Sequence, residues 1–176
     1  MAAPLPDRVA IADTFYRHLP QQGDPLWRAD PARDGRWQRG RVVEGLYLAD
    51  EPDTAWAEWY RGLAELALRP TTALPRDLWR FEVRVENVAD LTSEEGLRSV
   101  GLEPPRPDRR TWPPYQDLGE RLFATGYRGV VAPSAAREAH RTLCLFRVAP
   151  SIPGVTPLRP PENVRDPPPP PRGMRT

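Results

Sequence analysis

Arg36, Tyr47 and Glu58 follow one another at even steps of eleven residues, so a guanidinium, a phenol and a carboxylate recur within one short stretch. An arginine fork offers paired donors in fixed geometry to phosphate or carboxylate groups, which lysine does not match. An ionised carboxylate stabilises positive charge that develops on a reacting centre. A tyrosine ring stacks on a flat ligand or packs in a core, and its hydroxyl needs a partner in either place. Plainer accounts exist for each: Glu58 as an exposed helix residue paired with Arg61 three positions on, Tyr47 as core, Arg36 as a solvated charge.

The elements between these residues are legible. GLYLAD, from Gly45 to Asp50, is a short apolar run with the length of a buried strand. A helix is predicted to follow over DEPDTAWAEWYRGLAELAL, with Pro52 at its first position, Asp50 or Glu51 as cap and Asp53 in its first turn. Trp56, Trp59, Tyr60, Leu63, Leu66 and Ala67 recur at three- and four-residue steps and form its packing face. Glu58 falls on another face with Thr54, Arg61 and Glu65. Upstream, QQGDPLWRADPARDG reads as a long loop, a candidate pocket rim, around which Arg28, Arg33, Arg39 and Arg41 cluster with Arg36. That cluster reads either as a solvated charged loop or as a phosphate-binding edge.

Elsewhere, ADTFYRHL is expected as a first strand, with Arg17 near its end. Trp79, Phe81, Val83 and Val85 alternate with charged residues as in a half-buried antiparallel strand. A short helix capped by Thr92 or Ser93 comes next, and then EPPRPDRRTWPPY, whose five prolines exclude regular structure. YQDLGERLFATG is an amphipathic helix ending at Gly126, followed by strands in YRGVVAPS, which leads into Ser134, and RTLCLFRVA. Residues 1–9 are expected to be flexible. Residues 150–176 hold ten of the 24 prolines, five of them consecutive, and are expected to be a disordered, polyproline-like tail. Strands and helices in this order predict an α/β (α+β) domain over residues 10–149, with mostly antiparallel pairing.

At 176 residues the chain suits one domain. Its 25 basic residues, all arginine, nearly cancel 24 acidic ones to leave a charge of +1, which argues against direct nucleic-acid binding. The single cysteine, Cys144, excludes a disulfide framework and reads as a buried strand residue, and the two histidines lack the spacing of a metal pair, so no metal site is expected. With no long apolar run and no signal-peptide core, the chain is expected in the cytoplasm and away from membranes.

The runs GRWQRG, LYLAD and TAWAE resemble the RES domain family, named for an arginine, a glutamate and a serine. TFYRHLPQQGDPL resembles that family's opening segment, which makes Arg17 its first arginine, and GYRGVVAPSAAR resembles the segment that carries its serine, here Ser134. The chain departs from the family pattern at Asp34, Gln38 and Arg39, which stand where glycine, asparagine and proline are usual. The resemblance implies a fold similar to the ADP-ribosyltransferases, with small sheets and flanking helices around a cleft that binds NAD. It also implies breakage of the nicotinamide–ribose bond by phosphate or water, so that NAD is the substrate and no cofactor is required. On this reading Arg17 and Arg36 clamp the pyrophosphate, Glu58 stabilises the ribosyl cation or orients the ribose hydroxyls or the incoming nucleophile, Tyr47 stacks on or hydrogen-bonds near the nicotinamide, and Ser134 holds a ribose or amide group. Partners implied are an Xre-class helix-turn-helix antitoxin and a second copy of the chain in a homodimer. Two other functions compete: transfer of ADP-ribose to a macromolecule, and a non-catalytic module whose proline tail recruits a partner.

Overall fold

The computed structural model describes residues 4–175. In chain order the elements are β1 (Arg8–Pro20), β2 (Glu44–Ala49), α1 (Pro52–Glu65), β3 (Arg76–Asp90), α2 (Glu94–Ser99), α3 (Trp112–Ala124), β4 (Gly129–Pro133), β5 (Arg141–Arg147) and β6 (Val155–Val164). Among the described residues no helix is long and apolar enough to cross a membrane.

The alternation centred on Trp79 to Val85 becomes the longest strand, β3, around which the sheet is built. One edge of β3 pairs with β1 along its whole length. The other edge is divided: residues 76–83 take antiparallel β6, and residues 88–90 take parallel β4. Asn87, at φ +60°, lies at the division, where its carbonyl accepts from the Arg128 amide at 2.9 Å. β4, β5 and β2 continue antiparallel from there, and a single pair, Tyr16 with Ala49, returns β2 to β1. The pairings thus form a circuit of five strands with β6 as a branch. The expected antiparallel character holds at every pairing except that of β3 with β4.

Three apolar clusters fill this frame. One lies within the sheet around Phe15, Phe81 and Leu145; a second joins α2 and α3 to β4 and β5 through Leu97, Leu122 and Val130; a third seats α1 on β2 and β3 through Trp56, Trp59 and Leu63. Fully burying a side chain of this size stabilises the fold by about 1.5–3 kcal/mol, so the strands that carry the site are held from both faces. Cys144 is buried in the second cluster, as its apolar run predicted.

Several expectations are overturned. The segment beyond Pro150 is not a disordered tail: Val155–Val164 pairs with β3, and Pro171 is buried. Prolines on an outer strand cost little where the missing N–H faces away from the ladder, and Pro160 and Pro161 fall where the ladder is irregular, between the pairs Leu78–Glu162 and Arg80–Leu158. The N-terminal segment expected to be flexible falls partly outside the described residues, which begin at Pro4, but Arg8 and Val9 already pair with Ala89 and Val88. Pro6 accepts from the Tyr127 hydroxyl at 2.6 Å. Helix α1 stops at Glu65, earlier than the periodicity predicted, and Ala67 turns to φ +52°, so Leu66 does not join the packing face and is 64% exposed. Helix α3 begins at Trp112, with Pro113 and Pro114 in its first turn, where the missing N–H groups have no intrahelical acceptor to lose. Regular structure therefore starts inside the stretch whose prolines were expected to exclude it.

Candidate active site

A cavity of about 430 Å³ opens where β1, β2 and α1 meet the long loop between β1 and β2. That lies within the range of small-molecule sites. Arg17, Arg36, Tyr47 and Glu58 all line it, so four of the five residues singled out in the sequence share one wall system. Ser134 is the fifth, and it sits behind the wall, only 1% exposed.

Glu58 projects from the face of α1 that also presents Ala55 and Arg61 to the cavity. Its Oε1 accepts from the Ser134 hydroxyl at 2.9 Å, and its Oε2 lies 3.4 Å from Arg61 Nε. The i,i+3 partner weighed as the plain account of Glu58 is thus real and is part of the site. With its side chain 29% exposed, Glu58 keeps access to the cavity while both oxygens are held. Ser134 is held in turn: its oxygen accepts from the Ala136 and Arg137 amides, each at 3.1 Å, in the turn after β4. A hydroxyl that donates once and accepts twice has no capacity left for a bound molecule. The expectation that Ser134 grips a ribose or amide group is therefore corrected: it orients the carboxylate.

Arg36 comes from the loop, whose shape is fixed by Tyr47. The Tyr47 hydroxyl donates to Gln38 Oε1 at 2.6 Å and accepts from the Trp37 amide at 3.0 Å, and burial drives its pKa well above the ordinary value. Gly35 is required here, because a Cβ would run into the Tyr47 phenol. The Gly35 carbonyl is tied to α3 through Gln116 Nε2 at 2.9 Å. Gln38, one of the departures from the family pattern, is buried and also donates to the Arg33 carbonyl at 3.1 Å, and Asp34 accepts from the Gly40 amide at 2.8 Å. The unusual residues hold the loop from within. Since both bonds of the Tyr47 hydroxyl serve the loop, what this residue offers the cavity is its ring.

The Arg36 guanidinium is 8% exposed, donates through Nη2 to the Arg106 carbonyl at 2.6 Å and lies over the Tyr115 ring at 5.3 Å. Its Nη1 is buried and without a hydrogen-bond partner. Burial chiefly, with Arg61 nearby, pulls its pKa down against the opposing influence of Tyr115 and Glu58. Arg17, from β1, donates to the Pro25 carbonyl at 3.2 Å, and burial followed by the charge of Arg147 brings its pKa down to about 10. Arg76 also lines the cavity and donates to His18 Nδ1 at 2.9 Å, while the His18 ring stacks on Trp56. Burial, then Arg76 and Arg17, pushes the His18 pKa down to about 3. Among the described residues none of Arg17, Arg36 and Arg76 forms an ion pair with a carboxylate. Burying an unpaired cation is costly, so such a cluster with an idle donor is suited to an anionic ligand.

Of the other four arginines of the cluster, two are paired elsewhere and two, Arg33 and Arg41, are exposed. Arg28 pairs with Glu44, and Arg39 pairs with Asp117 and Glu120, and neither lines the cavity. The reading as a solvated charged edge fits Arg33 and Arg41, and ion pairing rather than phosphate binding accounts for Arg28 and Arg39. Arg61 and Arg76 were not anticipated as cavity residues. Arg61 carried a signal, standing on the same helical face as Glu58, whereas Arg76 had only its place before a strand.

Circuit, branch and cavity together define a mixed α/β protein. One chain of the crystal structure of the M. tuberculosis MbcT-MbcA toxin-antitoxin complex is similar to this one, with a TM-score of 0.75 and 22% identity over 89% of this chain and 86% of that one. The RES domain family model matches residues 7–166, and the chain belongs to that family. No curated protein matches the sequence.

Proposed function

We propose that the protein breaks the nicotinamide–ribose bond of NAD and acts as the toxin of a toxin-antitoxin pair. The observation that carries this reading is the presence, within one cavity, of a carboxylate fixed at both oxygens and arginines without acidic partners. A dinucleotide with a pyrophosphate at its middle and a cationic glycoside at one end matches that distribution of charge. Arg36, through its idle Nη1, and Arg17 are assigned to the pyrophosphate. Nicotinamide leaves as a neutral base, taking the electron pair of the C1′–N bond, so no general acid is needed. The ribose is left with oxocarbenium character, and the Glu58 carboxylate stabilises it or orients the sugar hydroxyls. Phosphate oxygen then bonds to C1′ to give a ribosyl phosphate; water in its place loses a proton and gives ADP-ribose.

The toxin part of the reading is supported by the likeness to a chain crystallised in a toxin-antitoxin complex, and an Xre-class helix-turn-helix antitoxin is the proposed partner. The test is incubation of the purified chain, free of any inhibitory partner, with adenylate-labelled NAD in the presence and absence of phosphate, with small products read by mass spectrometry. Free nicotinamide together with ADP-ribose or its 1″-phosphate is expected. NAD left intact under both conditions overturns the reading, and label from the adenylate retained on a macromolecule replaces cleavage with transfer.

A further inference from the structure

The family match ends at residue 166, yet the chain beyond it is ordered against the two elements that make the Ser134–Glu58 contact. On α1, two positions after Glu58, the Tyr60 hydroxyl donates to the Pro168 carbonyl. On the turn that carries Ser134, the Arg175 amide donates to the Ala136 carbonyl at 2.7 Å, and the Glu138 amide donates to the Gly173 carbonyl at 2.9 Å, either side of a bridge between Arg137 and Met174. Ala136 is one of the two residues whose amides hold the Ser134 oxygen.

Arg137, whose amide is the other, ties the three segments together with its side chain. Its Nε donates to the Arg172 carbonyl at 3.0 Å, while Nη1 donates to Glu51 at 2.8 Å and to Thr54 Oγ1 at 3.1 Å, at the start of α1. The guanidinium is 9% exposed, which makes these bonds hard for water to replace. One short strap therefore spans the helix of the carboxylate and the turn of its hydroxyl donor, and a hydrogen bond between two separate elements is only as precise as their relative placement.

We infer that residues 167–175 are a positioning strap for the active site, holding the Ser134 turn against α1 so that the hydroxyl stays aimed at Glu58; its effect on turnover rests on the NAD-cleaving reading. Gly173 is the place to release it. Its φ of +74° is strained for a side chain, most of all a β-branched one, while a Cβ there would meet nothing nearer than 3.8 Å. Gly173→Val thus penalises the docked strap without touching the core. A second full-length variant, Tyr60→Phe, removes the anchor on the helix.

The experiment combines three measurements on the full chain. Amide exchange at Glu138 and Arg175 is expected to be slow in the parent and fast in Gly173→Val; fast exchange in the parent overturns docking. The carboxyl 13C resonance of Glu58 is expected to move in the same direction in Gly173→Val and in Ser134→Ala; an undocked strap with that resonance unmoved overturns the positioning role, whatever the protein does to NAD. For turnover, kcat for NAD is expected to fall about tenfold in Gly173→Val, and less in Tyr60→Phe, with KM within about twofold and no further loss when Gly173→Val is added to Glu58→Gln. Losses that simply add in the double variant mean that the strap does not act through Glu58, and overturn the proposal. If the parent itself leaves NAD intact, the functional reading fails alone, and the exchange and resonance measurements still decide the strap.

Discussion

The Ser134 hydroxyl lies 2.9 Å from Glu58 Oε1, joining residues 76 positions apart in the chain. Because the serine oxygen is itself held by two backbone amides, the carboxylate is oriented by a group that cannot rotate to another partner. Glu58→Gln is expected to lower kcat for NAD cleavage on the order of a hundredfold or more while the protein remains folded, as for loss of one preorganised electrostatic group. Ser134→Ala is expected to lose less, on the order of tenfold, because the carboxylate survives without its aim. Steady-state kinetics with circular dichroism as a folding control checks both; a Glu58→Gln variant with undiminished kcat ends the assignment.

Arg36 presents a different balance. Its buried guanidinium has an idle Nη1 and no acidic partner, so it costs stability in the empty protein, a cost that a bound anion would offset. Arg36→Met is expected to weaken NAD binding by roughly 10- to 100-fold, the loss of a charged hydrogen bond of about 1.5–3 kcal/mol. The same variant is expected to melt at an equal or higher temperature than the parent. Calorimetric titration and a thermal scan on one sample test both halves.

Tyr47 supports the loop that brings Arg36 to the cavity. Tyr47→Phe leaves the buried Trp37 amide without its acceptor, and a destabilisation of about 1–3 kcal/mol is expected. Loosening the loop should raise KM more than it lowers kcat. Urea unfolding and the two kinetic constants are the measurements.

His18 accepts from Arg76 through Nδ1 and is therefore neutral, with its proton on Nε2. Its pKa falls from an ordinary 6.5 in the unfolded chain to about 3 in the folded one. Between those values the unfolded chain binds a proton that the folded chain refuses, so stability increases with pH across this window. His18 should contribute no penalty above about pH 6.5 and a growing one as the pH falls towards 3. Urea midpoints at pH 5.0 and 7.5 are expected to differ more in the parent than in His18→Gln, which cannot titrate; equal differences would exclude His18 as the source.

The parts of this structure that could be read from sequence are those in which local pattern and tertiary demand agree. Strand β3 alternates because one face is buried, and α1 shows Pro52 and Asp53 at its start because those residues suit a first turn. The even spacing of Arg36, Tyr47 and Glu58 led to one cavity because a short strand and the start of a helix separate them. Where pattern and demand part company, the sequence misleads. Prolines 157, 160 and 161 have the composition of a linker, but β6 needs only one edge to pair. Leu66 continues the helical period, but the helix has already ended. The task of Ser134 was hidden for another reason: that it serves Glu58 and not a ligand depends on the count of its hydrogen bonds, which follows from the turn and not from the residue type.

The proline content of β6 has one more consequence. An outermost strand normally exposes a row of amide donors that a neighbouring molecule can copy onto, and long flat margins of this kind seed fibrils. Pro157 and the irregular step at Pro160 and Pro161 break that row, so the residues that make the strand hard to see in the sequence also keep one molecule from zippering to the next.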